Sequence, residues 1–290
     1  MSPLDTILVI VNAKARHQTG LAKAALLAQK CRTRLELFAG DADAPPSALL
    51  SLARPLREGG LDVTTATVCA DSSNAALLAR MRDPGIGFVI KDVVHSASSP
   101  RCALTATDWE LARACPVPLL LSKSTLWSEV PVICAAIDPR HEDDGMECLN
   151  RAILTKGAML AKRMGGDLHV LHAYVPPILA IATTAAGDVR PTERAQSLMS
   201  APTNARLREL RSFSSGYQVP ASHVHLFIGS ACEALSGGVI QLGASIVVLG
   251  AVSRAALRTH IIGSTAEGML KQISCDVLVV KRPYVAMKPH

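Results

Sequence analysis

Hydrophobic residues fall in short unbroken runs along this chain. The clearest are TILVIV at Thr6–Val11 and VICAAI at residues 132–137. Runs of this length predict strands buried on both faces, as in a parallel sheet. Apolar positions at helical spacing follow. After the second run, Leu149, Ile153, Leu160 and Met164 share one face, and Gly165-Gly166 ends the helix.

The alternation occurs twice. In the first half, strands are expected at Thr6–Val11, Arg34–Ala39, 62–68, 88–90 and Leu119–Ser122, with helices at 49–58, 75–82 and 108–115. In the second half, strands are expected at 132–137, Asp167–Tyr174, 223–227, 246–249 and 277–280, with helices at 204–213, 231–242 and 265–274. A fixed offset of 158 positions separates Gly263 from Thr105 and Lys281 from Lys123. Such a duplicated βα unit predicts the α/β class: two tandem doubly wound parallel-sheet domains, each five-stranded, at 1–126 and 127–290. The link at 124–129 is short, so the domains should pack together. The two last strands are apolar potential edges and need a partner. They can pair within one chain as a pseudo-dimer, or between chains as a homodimer.

Composition narrows the partners. Hydrophobic residues make up 49% and charged residues 19%, which excludes a disordered chain. Aromatics are only 3%, so the core is Leu, Val, Ile, Ala and Met. The net charge of +6 is spread over helix faces, denser at Arg190, Arg194, Arg206, Arg208 and Arg211. Nucleic-acid binding would add stacking aromatics to such a patch, so no nucleic-acid partner is expected. Eight cysteines without a C-x-x-C pair read as reduced, buried thiols of a cytoplasmic protein. The N-terminus does not read as a leader, and no run reaches membrane-spanning length, so no membrane partner is expected.

The candidate chemistry lies near the end of the chain. Ile246-Val247-Val248-Leu249 ends on Gly250, and Gly263-Ser264-Thr265 opens a helix with Ala266, Met269, Leu270 and Ile273 on one face. A glycine turn at a helix start presents unpaired N–H groups and the positive end of the helix dipole, which favours phosphate. The plainer reading is a tight turn plus a capping hydroxyl. His141-Glu142-Asp143-Asp144 follows Asp138 and suits Mg²⁺ beside a nucleotide, though such a run is more often a solvated loop. His223 and His225 should share one face of a strand, with no further ligand assigned to that face. His169 and His172 should point to opposite faces. No protein metal site is expected. No nucleophile–base pairing is legible, so no catalytic residue is named and the chain reads as a non-enzyme.

Gly250-Ala251-Val252-Ser253, nine residues, then Gly263-Ser264 resembles the G-x-x-G-x9-G-[ST] nucleotide loop of the universal stress protein family. Gly250, Gly263 and Ser264 match, and Ser253 stands at the second glycine. Asp138 corresponds to the family's aspartate after the first strand, which contacts adenosine. Thr105-Ala106-Thr107-Asp108-Trp109, followed by Cys115-Pro116-Val117-Pro118, looks like the first repeat of the tandem, E-type members. The resemblance implies an adenine nucleotide alpha hydrolase-like fold and a stress-response, ligand-binding regulator. It further implies ATP with Mg²⁺ in the second domain, held by Asp138, Gly250, Ser253, Arg254, Gly263, Ser264 and Thr265. Weak ATP hydrolysis is left open. The alternative is a scaffold without nucleotide, holding a small apolar ligand near residues 178–182. In the first half Asn12 stands for Asp138, Lys91 for Gly250 and Thr105 for Gly263, so one site per chain is expected.

Overall fold

The structure, a computed structural model, describes residues 6–12, 18–39, 45–67, 73–93, 104–139, 144–176, 193–251 and 264–282. The first half of the chain supplies β1 (Thr6–Val11), α1 (Thr19–Cys31), β2 (Arg34–Ala39), α2 (Pro46–Glu58), β3 (Val63–Ala66), α3 (Ser73–Met81), β4 (Ile86–Asp92), α4 (Ala106–Ala114) and β5 (Leu119–Ser122). The second half supplies β6 (Val132–Ala136), α5 (Asp144–Met164), β7 (Asp167–Tyr174), α6 (Glu193–Ser214), β8 (Val224–Ile228), α7 (Ala231–Gln241), β9 (Ile246–Ala251), α8 (Ser264–Gln272) and β10 (Asp276–Lys281).

All ten strands form one sheet in the order β3-β2-β1-β4-β5-β10-β9-β6-β7-β8. Each half is therefore doubly wound, with its switch point between its first and fourth strands. Pairing is parallel throughout, as at β1–β2 and β6–β9, except where the halves meet. There β5 and β10 run antiparallel, with Leu120 opposite Leu278. The two last strands thus cover each other's apolar edges. The outer edges, β3 and β8, are short and only half buried.

Why these segments are strands is visible in their burial. β1, β5, β9 and β10 are buried along nearly their whole length. Aliphatic residues with branched side chains fill both faces of such a pleat. One helix layer, α1, α2, α5 and α6, packs Leu27, Leu49, Leu154 and Leu210 onto one face. The other, α3, α4, α7 and α8, packs Met81, Leu111, Val239 and Met269 onto the opposite face. Helix α5 stops at Gly165, whose φ of 69° is the left-handed conformation that ends helices.

The junction carries polar groups as well. Lys23 Nζ on α1 donates to Asp276 Oδ1 at 2.8 Å and to the Lys123 carbonyl at 2.7 Å. Lys123 Nζ donates to the carbonyls of Leu270 and Ile273 at the end of α8. Lys281 Nζ donates to the carbonyl of Arg113 near the end of α4. Lys123 and Lys281 therefore each close the C-terminal end of the other half's last helix, where cations are favoured.

Helix α6 begins at Glu193 and runs through Pro202, earlier than the expected start at 204. His223 sits in a 3₁₀ turn, Ala221–His223, before β8 rather than in the strand. The apolar insert at 177–188 and the acidic residues 141–143 lie outside the described residues. No described helix is long and apolar enough to cross a membrane.

Candidate functional site

The second-half switch point lies between β6 and β9, which pair with Ala135 opposite Val248. Asp138 follows the end of β6. Gly250 is the penultimate residue of β9, and α8 opens at Ser264. The sheet thus brings Asp138, Gly250 and the start of α8, with Thr265 second in it, to one end of the strands. Ser253, Arg254 and Gly263 lie outside the described residues.

Asp138 is held from two sides. Its N–H donates to Asn150 Oδ1 at 3.2 Å, and its carbonyl accepts from Asn150 Nδ2 at 2.6 Å. Asn150 is 2% exposed in α5, so this carboxamide ties helix to strand end with both of its polar atoms. His172 on β7 donates from Nδ1 to the Ile137 carbonyl at 3.0 Å. The same nitrogen lies 3.9 Å from Asp138 Oδ1. The Asp138 side chain itself stays 45% exposed at the mouth of the crevice. A fixed backbone with an accessible carboxylate suits recognition of a hydroxyl or amino group.

Sequence reasoning missed Asn150 and the role of His172. A buried Asn inside an apolar helix stripe is a poor helix former, and that was the available signal. Gly250 has a packing reason of its own. A Cβ there would stand 2.7 Å from Leu149 Cδ2 and 3.1 Å from Ile153 Cδ1. Glycine therefore lets α5 approach β9 closely.

The first half shows what fills the equivalent place. Strand register corrects one assignment: Asp92 pairs with Ser122 as Gly250 pairs with Val280. With Ser122 matching Val280 at the same offset of 158, the counterpart of Gly250 is Asp92, not Lys91. The error came from reading an extra loop residue where the strands superpose without one. Asp92 Oδ1 accepts the N–H of Gly20 at 2.6 Å, at the N-terminus of α1. Burial raises the Asp92 carboxyl above its ordinary range, against the Gly20 bond.

The start of α4 is closed too. Thr105 and Asp108 form a reciprocal capping box: Thr105 N–H donates to Asp108 Oδ2 at 2.7 Å, and Asp108 N–H donates to Thr105 Oγ1 at 3.2 Å. Lys91 Nζ pairs with the other oxygen of the fully buried Asp108. The first half thus carries its own carboxylates where the second half has Gly250 and Ala266.

Three histidines gather elsewhere. The His169 and His223 rings stack at 4.0 Å, and His169 Nδ1 lies 2.9 Å from His225 Nε2. His169 thus faces the pair that sequence reading left without a third member, while His172 points to the opposite face as expected. No described group of His, Cys, Asp or Glu has the arrangement of a metal site.

A doubly wound, duplicated α/β fold with a crevice at each switch point defines a class of tandem parallel-sheet proteins, and comparison narrows it. The universal stress protein family profile matches residues 133–281. The chain belongs to that family. A curated relative, universal stress protein E homolog of Haemophilus influenzae, is 24% identical over 195 residues. That match covers 67% of this chain and 62% of the relative, so the chain spans less than two thirds of it. A solved protein of unknown function from Pseudomonas aeruginosa superposes with a TM-score of 0.76 at 28% identity, over 97% of this chain and 93% of that one. A universal stress protein from Archaeoglobus fulgidus shares the fold with a TM-score of 0.64 at 13% identity, over 95% and 98% of the two chains.

Proposed function

We propose that this chain is a stress-response regulator that binds one adenine nucleotide, ATP with Mg²⁺, in the crevice of its second half. The observation that carries the reading is the contrast between the halves at one topological position. In the first half, Asp92, Asp108 and Lys91 occupy the switch point with protein charges. In the second, Gly250 and Ala266 stand in the carboxylates' places, and Asp138 lies at the mouth of the crevice. In the first half the chain's own side chains take the positions beside the helix start, whereas glycine and alanine in the second leave backbone N–H groups there for a ligand's phosphates.

In this reading Asp138 accepts hydrogen bonds from the ribose or adenine. The backbone N–H groups of Gly263, Ser264 and Thr265 take the phosphates, with Gly250, Ser253 and Arg254 beside them. The role is binding and signalling through the bound state rather than turnover. Isothermal titration of the purified chain with MgATP tests it. One site per chain is expected; absence of binding, or two equal sites, overturns the reading.

A further inference from the structure

We propose that His169, His223 and His225 form an acid-sensitive clasp that holds edge strand β8 at neutral pH and releases it on acidification. The three rings bridge neighbouring elements beside the β7–β8 pairing. His169 is on β7, His225 on β8 and His223 in the turn before it. Their planes are nearly parallel, at 10° and 13°, so their lone pairs do not converge on one point as a metal site requires.

The geometry suits neutral rings. Of His169 Nδ1 and His225 Nε2, 2.9 Å apart, one must donate and the other accept. Protonating both rings puts two donors face to face. Charging His223 as well stacks two imidazolium rings at 4.0 Å. Phe227 extends the stack beyond His225 at 6.1 Å and offers no counter-charge.

Charged and titratable neighbours do not offset this. Asp167 on β7 is the carboxylate that acts on His169, and it is exposed. Cys134 of β6 pairs with His169 in register, and burial holds its thiol neutral. On α7, which covers this face, the titratable residues are Cys232 and Glu233, and Glu233 is bonded to Ser230 Oγ at 2.8 Å. The opposite face is covered by α5 and α6, whose ion pairs Arg151–Glu147 and Arg206–Glu209 close within their own helices.

Burial first, then His223 and His225, pushes His169 down from 6.5 to about 4. Burial and His223 also lower His225. The detached strand binds protons more readily than the clasped one. The clasp therefore holds fully above 6.5 and weakens progressively as pH falls toward about 4. Strand β8 is a half-buried sheet edge, so it can open without the core.

Hydrogen–deuterium exchange, corrected for intrinsic rates, tests this between about pH 7.5 and about pH 4.5. The protection factors of amides 224–228 should fall at least about tenfold relative to those of 133–136, and recover on neutralisation. His169→Phe keeps a stacking ring without a titrating proton and should abolish the acid response. His225→Gln keeps a hydrogen-bonding partner for His169 and should reduce it. The clasp is overturned if β8 keeps its protection with the rest of the sheet at low pH, or if both variants, shown folded by circular dichroism, open as the wild type does.

Discussion

Lys23 of α1 and Asp276 of β10 form an ion pair of 2.8 Å with side chains 2% and 1% exposed, one from each half of the chain. Around it the remaining valences are satisfied. Asp276 accepts from the Lys123 N–H and from Trp127 Nε1, each at 2.7 Å, and Lys23 reaches Ser122 Oγ at 3.2 Å. The pair therefore fixes the register in which β5 meets β10. A buried charge left alone is costly, whereas a matched apolar pair is often neutral.

Asp276→Ala should accordingly destabilise the chain by about 3–5 kcal/mol, and Lys23→Met combined with Asp276→Leu by much less. Urea unfolding of the two variants checks this. Equal losses would show that the pair acts through packing and not through its charge.

Gly250→Ala separates packing from ligand approach. The added Cβ meets Leu149 Cδ2 at 2.7 Å, so α5 or the Leu149 rotamer must move. A loss of about 1–3 kcal/mol is expected, relieved by Leu149→Ala in the double variant relative to the sum of the singles. If stability is unchanged but MgATP affinity collapses, the glycine serves the ligand and not the helix.

The sheet was legible because its central strands are unbroken aliphatic runs, which betray burial on both faces. Thr6–Val11 and Leu119–Ser122 were read with the bounds the fold gives them. Helix α6 is expected only over 204–213, and the structure carries it back through Pro202 to Glu193. Setting Lys91 against Gly250 allows an extra loop residue in place of the 158-position offset, and the pairing of Asp92 with Ser122 restores that offset. The third member of the histidine cluster is not legible, since His169 and His225 are brought together only by the pairing of β7 with β8, and the Asn150 contact depends on how α5 packs back on the end of β6. The candidate site is legible from its glycines; Gly250 lies on β9, and Asp138 lies just past the end of the neighbouring strand β6.

The thiols should divide by burial. Burial raises Cys115 to about 11 and Cys275 to about 12, and raises Cys134 further. Thiolate is the reactive form, so at about pH 8 these three should resist iodoacetamide in the native chain. Cys148, exposed on α5, should be alkylated. Peptide mass spectrometry of briefly labelled protein checks the order, and urea should abolish it.

Binding at Asp138 should depend on the residue that holds it. Asp138→Ala removes the accessible carboxylate and should weaken MgATP by about 1.5–3 kcal/mol, roughly ten- to a hundredfold in Kd. Asn150→Ala leaves the carboxylate but frees its backbone, and should weaken binding by less while also lowering stability. Asp92→Ala is the control in the first half. It removes the acceptor of the Gly20 N–H and should cost about 1 kcal/mol in unfolding free energy. It should not create a second site, because Lys91, Asp108 and Thr105 still close the start of α4. Titration showing two sites in Asp92→Ala would mean that Asp92 alone keeps nucleotide out of the first half.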